Sequence, residues 1–351
     1  MKQVGILGLP QSGKTTLFEI LVQGAGSSTG GGAGRDQVGL VRVPDLRLDR
    51  LSALYQPKKT TETRIQFVDS AAAGHASARV AAKGPDLFSS VRNCDALVAV
   101  VRDYENDAVP AANGIDPERD RRTLEAELIL NDLAIAETRL ERIEKEIRIG
   151  KKEAEREKVL LLRLKEMLEA ERPLRGESFD AEEQKLLRGF QFLTRKPLLV
   201  VYNQDERSKR TPPPPGPGSR AVAIKAHLER EIVSLPPAER PAFRAELGVT
   251  EDGLSVVIRA CYELLGLISF FTVGPDEVRA WTVRTGETAV DAAGEIHSDL
   301  ARGFIRAEVI AWEELLTAGG TAPARAAGKL RLEGREYKVR DGDCMEIRFN
   351  A

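Results

Sequence analysis

The sequence predicts a chain of the α/β class with a helical insertion and a smaller β-rich C-terminal domain. Three observations predict it. A short apolar strand runs into a glycine-bearing loop and then a helix, later apolar strands lead to acidic residues, and a heptad-spaced stretch interrupts the strands. With 351 residues, and at roughly 100 to 200 residues per domain, the chain has room for two or three domains.

Residues 3–9 (QVGILGL) form the opening strand, and residues 15–22 carry the helix pattern that follows it. Residues 24–34 hold six glycines with Ser27, Ser28 and Thr29, a composition that predicts a loop. Residues 63–68 and 96–101 are the next strands; Asp69 and Asp103 follow them, where an α/β sheet meets its ligand at the carboxyl edge. From about Thr123, apolar Leu133, Ala136, Leu140, Ile143 and Ile147 recur at heptad-like spacing, which predicts one arm of a coiled hairpin. Gly150 breaks that arm, and a second arm with Leu161, Leu164 and Leu168 runs until Pro173 stops it. The tip, residues 142–152, has five basic and two acidic residues, a charge of +3 that suits either a solvated end or a contact with a phosphate backbone.

Strand character resumes at 197–202, so the hairpin reads as an insertion within one α/β domain. Pro212 to Gly218 (PPPPGPG) predicts a stiff surface spacer. A helical stretch over 253–265 precedes the last block, whose strand runs are 278–283, 305–311, 337–339 and 344–349. The domains expected are therefore 1–122 with 196–268 for the α/β part, 123–195 for the insertion and 269–351 for the C-terminal part.

Composition excludes several classes. Apolar residues are 42% and charged residues 30%, against both a wholly disordered chain and a membrane bundle, and no apolar run approaches the roughly 18 residues that span a bilayer. The start lacks the pattern of a secretory signal, so a cytoplasmic protein is expected. Cys94, Cys261 and Cys344 lie far apart without metal-ligand spacing and are expected to be reduced, buried thiols. A net charge of -2 gives no global attraction to nucleic acid and no case for sequence-specific DNA binding.

The chemistry lies in Gly8, Leu9, Pro10, Gln11, Ser12, Gly13, Lys14 and Thr15, which match GxxxxGK[ST] between a strand and a helix. Backbone N–H groups of such a loop cradle phosphates, Lys14 adds positive charge for the β- and γ-phosphates, and the Thr15 hydroxyl can ligate magnesium, with Thr16 next along the helix. Asp69 is placed to reach that ion through water. Asn203, Gln204, Asp205 and Glu206 sit where a base would be read at the sheet's carboxyl edge.

These residues together resemble the YchF/Obg-like ATPase family, a branch of the Obg-related P-loop NTPases. The resemblance also rests on VPDLRLD from Val43, YEND from Tyr104, ELILNDL from Glu127 and LTRKP from Leu193. Its most specific part is FFTVGPDEVRAWT from Phe270, with GEIH from Gly294, GFIRA from Gly303 and YKVRDGD from Tyr337. It implies a Ras-like P-loop domain, a coiled-coil insertion and a C-terminal TGS-like (β-grasp) domain. It also implies an adenine-selecting NxxE motif, here Asn203 and Glu206, in place of the guanine-reading NKxD, with the backbone at Gln204 approaching the base. ATP, magnesium, slow ATP hydrolysis and ribosome or RNA contact through the TGS-like domain and insertion are further implications.

The chain departs from the family pattern in four places. Gln11 stands where the family has an Asn associated with potassium-stimulated hydrolysis, so potassium dependence is not carried over. No Thr is in register in the first switch, Ala72 replaces a second-switch Gly, and residues 108–112 (AVPAA) lack the family's candidate catalytic His. His75 is the histidine of the second switch, and His297 of the TGS-like block reads as structural. Lys14 and Thr15 are thus the expected catalytic residues. A slow ATPase switch, a non-hydrolysing nucleotide-binding scaffold and a GTPase all remain open at this point.

Overall fold

The computed structural model describes residues 1–24, 37–69, 88–106, 110–111, 114–148, 154–208, 210–249 and 251–350. The expectations for the glycine-rich loop, for Ala72 and His75, for Gly150 at the hairpin tip and for most of residues 108–112 lie outside the described residues.

In chain order the elements begin with β1 (Gln3–Gly8), α1 (Lys14–Gly24), β2 (Gln37–Arg42), α2 (Leu46–Tyr55), β3 (Lys59–Thr61), β4 (Arg64–Asp69) and β5 (Ala96–Asp103). There follow α3 (Pro117–Arg148), α4 (Ala154–Glu169), α5 (Ala181–Leu187), β6 (Leu198–Gln204), β7 (Ser219–Ile224), α6 (Ala226–Ser234), α7 (Arg240–Glu246) and α8 (Gly253–Leu264). The last are β8 (Leu267–Thr272), β9 (Glu277–Arg284), α9 (Ala289–Ile296), α10 (Ser298–Arg302), β10 (Phe304–Ala311), α11 (Trp312–Ala318), α12 (Thr321–Ala326), β11 (Arg331–Glu333) and β12 (Asp343–Phe349). Contacts divide the chain into two compact units, Met1–Val41 with Gln66–Leu264, and Arg42–Ile65 with Leu265–Ala351.

The first unit holds a sheet of order β2-β4-β1-β5-β6-β7, in which β1 pairs in parallel with β4 and β5, β5 with β6, and β6 with β7. Every residue of β5 and β6 is buried, which is why both read in sequence as near-continuous apolar runs. Register aligns the functional ends: Gly8 faces Val100, Val100 faces Val201, and Asp103 faces Gln204. The loop after β1 and the residues after β6 therefore share one carboxyl edge.

Two elements differ in extent from the sequence expectation. Strand β6 runs through Asn203 and Gln204, so these are buried strand residues rather than part of the turn. Helix α3 starts at Pro117, because Asp116 Oδ1 accepts from the Arg119 N–H at 2.9 Å and proline fits a first helical turn. Its early residues Leu124 and Leu128 join the core beneath the sheet with Leu97, Val101 and Val200. Farther out, Ala136, Leu140 and Ile143 of α3 pack on Leu161, Leu164 and Leu168 of α4, the heptad stripes closing on each other. Arg139 clasps Glu157 across this seam at 2.7 Å.

The second unit is built on a sheet of order β11-β10-β12-β8-β9-β3. Pairs β12–β8 and β3–β9 are parallel, whereas β8–β9, β10–β11 and β10–β12 are antiparallel. From sequence, residues 42–65 go with the P-loop part, but in the structure they pack with the C-terminal part. The physical reason is that β3 completes that sheet's edge and α2 buries Leu48 and Leu51 against Phe271, Val278 and Ile310. Residues 337–339 form a single bridge, Thr288 to Lys338, instead of a strand. The Tyr337 hydroxyl in that stretch donates to Asp343 Oδ2 at 2.8 Å. His297 caps α10, its Nδ1 accepting from the Asp299 N–H. All three cysteines are free and buried, and burial raises their thiol pKa values, Cys94 to about 11. No described helix is long and apolar enough to cross a membrane.

Candidate functional site

Between β1 and α1 the chain turns back through Leu9 to Gly13, with the Ser12 N–H donating to the Leu9 carbonyl at 3.1 Å. Two glycines are required by space. A Cβ on Gly8 would lie 2.4 Å from Ser12 Oγ, and one on Gly13, whose φ is +92°, would lie 2.3 Å from Asn203 Nδ2. Helix α1 then begins at Lys14 with no acidic residue in its first turn, leaving its positive dipole end uncompensated beside the loop. Pro10, Gln11 and Thr15 are exposed, and Leu9, Gly13, Lys14 and Thr16 are half-buried.

Lys14 Nζ lies 3.0 Å from Asp69 Oδ1, joining the loop to the end of β4. That ion pair satisfies the buried Asp69 carboxylate, whereas the buried Ser12 Oγ has no hydrogen-bond partner among the described residues. A buried hydroxyl left unsatisfied costs free energy in an isolated fold. That orphan hydroxyl in the loop, with the Lys14 ammonium, the Thr15 hydroxyl and the Asp69 carboxylate beside it, is a donor set that fits a magnesium nucleotide.

The far wall comes from β6. Asn203 Nδ2 donates to the Ser12 carbonyl at 3.1 Å while its Oδ1 accepts from the Ala226 N–H at 3.1 Å. One buried amide thereby ties the phosphate loop to the start of α6. Gln204 is buried and its side-chain amide donates to Asp103 Oδ2 and to the Arg210 carbonyl, both at 3.0 Å, so it faces the sheet edge and stiffens it. Asp205 Oδ1 accepts from the N–H groups of Arg207 and Ser208, each at 2.8 Å, closing a turn that holds Glu206 out at the rim. Gly13, Thr16, Asn203, Gln204 and Glu206 all line one cleft of about 890 Å³, a size that suits a nucleotide.

Around the cleft the structure adds contacts that the sequence did not announce, even at residues already read as part of the motif. Gln11 sits at φ 66°, a left-handed conformation for a non-glycine, and two side chains clasp it there. The Tyr104 hydroxyl donates to its carbonyl at 2.9 Å, and Arg102 Nη1 reaches its Oε1 at 3.4 Å while the guanidinium lies 4.8 Å from the Tyr104 ring centroid. Tyr104 was legible only as a member of the YEND run. His227, on the first turn of α6, places Nδ1 3.1 Å from Glu206 Oε1. Only the structure brings these two together, because 21 residues separate them.

Comparison with known proteins gives a consistent result over the whole chain. A family model for the C-terminal part of YchF GTPases, described as a protein of unknown function, matches residues 267–350. The chain is 42% identical over 361 residues to a protein of Bacillus subtilis named ribosome-binding ATPase YchF, covering 99% of each. It is 38% identical over 359 residues to the protein of the same name from Escherichia coli O157:H7, again covering 99% of each. Among solved structures it is similar to the YchF GTPase of Schizosaccharomyces pombe, with a TM-score of 0.82 at 27% identity, covering 99% of this chain and 97% of that one.

Proposed function

The chain belongs to the YchF family, and on that premise we propose that it is an ATP-binding P-loop switch that hydrolyses ATP slowly and acts in association with the ribosome. The observation that carries the nucleotide reading is the phosphate loop itself, backed by Asn203 at Gly13 and joined to Asp69 through Lys14. In this reading the backbone N–H groups from Gly8 to Thr16 and the start of α1 hold the phosphates, and Lys14 opposes the charge that develops during transfer. Thr15 and Asp69 would hold magnesium, which when bound neutralises charge on the β- and γ-phosphates. Phosphoryl transfer of this kind is mostly positioning and electrostatics, so a slow enzyme can work through loop amides and a well-placed cation.

At the other end of the cleft, Glu206 is the acceptor for the base, with Asn203 fixing the wall behind the phosphates. The bacterial relatives are named ATPases and the fission-yeast one a GTPase, so base preference is the discriminating measurement. Calorimetric titration with ATP and with GTP in magnesium, with Lys14→Ala as control, is expected to give tight ATP binding that the variant abolishes. Unchanged affinity in the variant would remove Lys14 as phosphate ligand. Single-turnover cleavage faster than that of free ATP supports the enzyme, and cleavage no faster leaves a nucleotide-binding scaffold.

The ribosome reading is carried over from what the bacterial relatives are named, with the α3–α4 hairpin and the C-terminal unit as the surfaces in question. Such a protein would work in the cytoplasm. Cosedimentation with ribosomes, with and without ATP, tests it; no cosedimentation at low salt in either state would refute it.

A further inference from the structure

We propose that Tyr104 is a positioning residue that holds the phosphate loop ready before nucleotide arrives, an inference that rests on the nucleotide-binding reading above. Its hydroxyl acts at Gln11. Along the loop Gln11 has φ 66° and Gly13 has φ 92°, with Ser12 between them at negative φ. Alternation of this kind turns successive backbone N–H groups toward one side, which is how a peptide segment forms a concavity for an anion. Gly13 adopts its conformation with no Cβ to oppose it, whereas Gln11 carries one. Left to itself, a loop with glutamine there would favour negative φ and lose the concavity.

The force that opposes this comes from the end of β5. The Tyr104 hydroxyl donates to the Gln11 carbonyl at 2.9 Å, and Arg102 Nη1 donates to Gln11 Oε1 at 3.4 Å. The peptide group joining Gln11 to Ser12 is thereby held at both ends, since its N–H donates to the Leu9 carbonyl at 3.1 Å. Both clamp residues are themselves fixed. Arg102 is buried, its Nε donates to the Tyr104 carbonyl at 3.1 Å, and its guanidinium lies 4.8 Å from the Tyr104 ring centroid. Strand β5 in turn pairs with β1, whose Gly8 opens the loop, so the clamp and the loop it holds are anchored on adjacent strands.

The clamp has a direct consequence for affinity. The apparent dissociation constant of a ligand is its intrinsic value divided by the fraction of protein already in the binding-competent conformation. A tenfold loss of that fraction corresponds to about 1.4 kcal/mol, the size of the left-handed penalty for one L-residue. Without the hydroxyl, nucleotide binding itself must supply this free energy. A glycine in place of Gln11 carries no such penalty, so its loop depends far less on the clamp.

Dissociation constants for ATP in magnesium, measured by fluorescent-nucleotide competition on the full chain, test this with Tyr104→Phe in three backgrounds. With Gln11 intact, Tyr104→Phe is expected to weaken ATP binding by about tenfold. In Gln11→Ala, which drops the side chain and keeps the Cβ, the same change is expected to cost about tenfold again. In Gln11→Gly it is expected to cost no more than about twofold. A merely structural role of the hydroxyl would give the same loss in all three, so the dependence on background reads the conformation of the loop. A change within about twofold with Gln11 intact overturns the proposal. An equal loss in all three backgrounds also overturns it, and would make the hydroxyl a direct ligand contact from the cleft that Tyr104 lines. Wild-type protein that binds no nucleotide overturns the nucleotide reading and this inference together, whereas binding that Lys14→Ala abolishes and Tyr104→Phe leaves untouched overturns this inference alone.

Discussion

Single residues of the site show what sequence can and cannot reveal about chemistry. Gly13 was legible as a motif glycine, but its strict requirement comes from across the sheet, where Asn203 Nδ2 occupies the space of a Cβ at φ +92°. Gly13→Ala is therefore expected to cost ATP binding at least as much as stability, because either the loop or Asn203 must shift; wild-type affinity in calorimetry would contradict it. Glu127 is a different case. It is 8% exposed on α3, its Oε2 has no hydrogen-bond partner among the described residues, and burial raises its pKa from 4.5 to about 6. Because the folded-state pKa is the higher one, the fold favours the protonated acid, and stability falls as pH rises from about 4.5 through about 6. By linkage the charge costs about 2 kcal/mol above that window. Glu127→Gln is expected to raise stability by about 1–2 kcal/mol at pH 8 and to leave it unchanged at pH 4.5, read from denaturant midpoints at the two pH values. In sequence Glu127 was one letter of a family run, and nothing near it announced burial.

Elements were more legible than their joints. The strands β1, β5 and β6 and the heptad arms were readable because burial on both faces, or on one stripe, writes a period into the sequence. What holds α3 to the rest of its unit was not readable, since it is a long-range polar contact. Asp132, fully buried midway along α3, accepts from the N–H groups of Leu193 and Thr194 at 2.9 and 2.7 Å and from the Thr194 hydroxyl at 2.7 Å. Two runs that resembled the family separately, from Glu127 and from Leu193, are thus the two halves of one fastening, and burial still raises the Asp132 pKa despite those donors. Asp132→Ala would strand three buried donors and is expected to destabilise the protein by about 3–5 kcal/mol, checked by denaturant unfolding; a loss below about 1 kcal/mol would show that the fastening is dispensable. The same logic explains residues 42–65. Their short strand β3 and helix α2 have ordinary local patterns, and only pairing with β9 and burial against Phe271 assign them to the second unit.

At the scale of the whole molecule, charge sets how a ribosome-bound state should respond to salt. The chain carries 52 basic and 54 acidic residues, and from residue 275 onward 11 basic residues face 14 acidic ones, a local charge of -3. The basic excess of the hairpin lies at its tip, where residues 142–152 sum to +3, and even there Glu144 and Glu146 pair with Lys158 and Arg139 of the hairpin stem. A protein held to RNA mainly through phosphates releases counterions in proportion to the contacts it neutralises, so 6 to 10 contacts cost roughly 10³ to 10⁵ in affinity between 50 and 200 mM salt. About three cations at one tip would release far fewer. Ribosome association of this chain is therefore expected to follow salt with a log–log slope no steeper than about -3, the remaining affinity coming from uncharged surface and from protein. Quantitative cosedimentation over that salt range measures the slope directly. A value near -6 or steeper would mean that many more cations reach RNA than the hairpin tip supplies, and the interaction surface would have to be sought among the arginines spread over both units. A shallow slope that changes between the ATP and ADP states would instead tie ribosome contact to the nucleotide cleft through shape, as a switch requires.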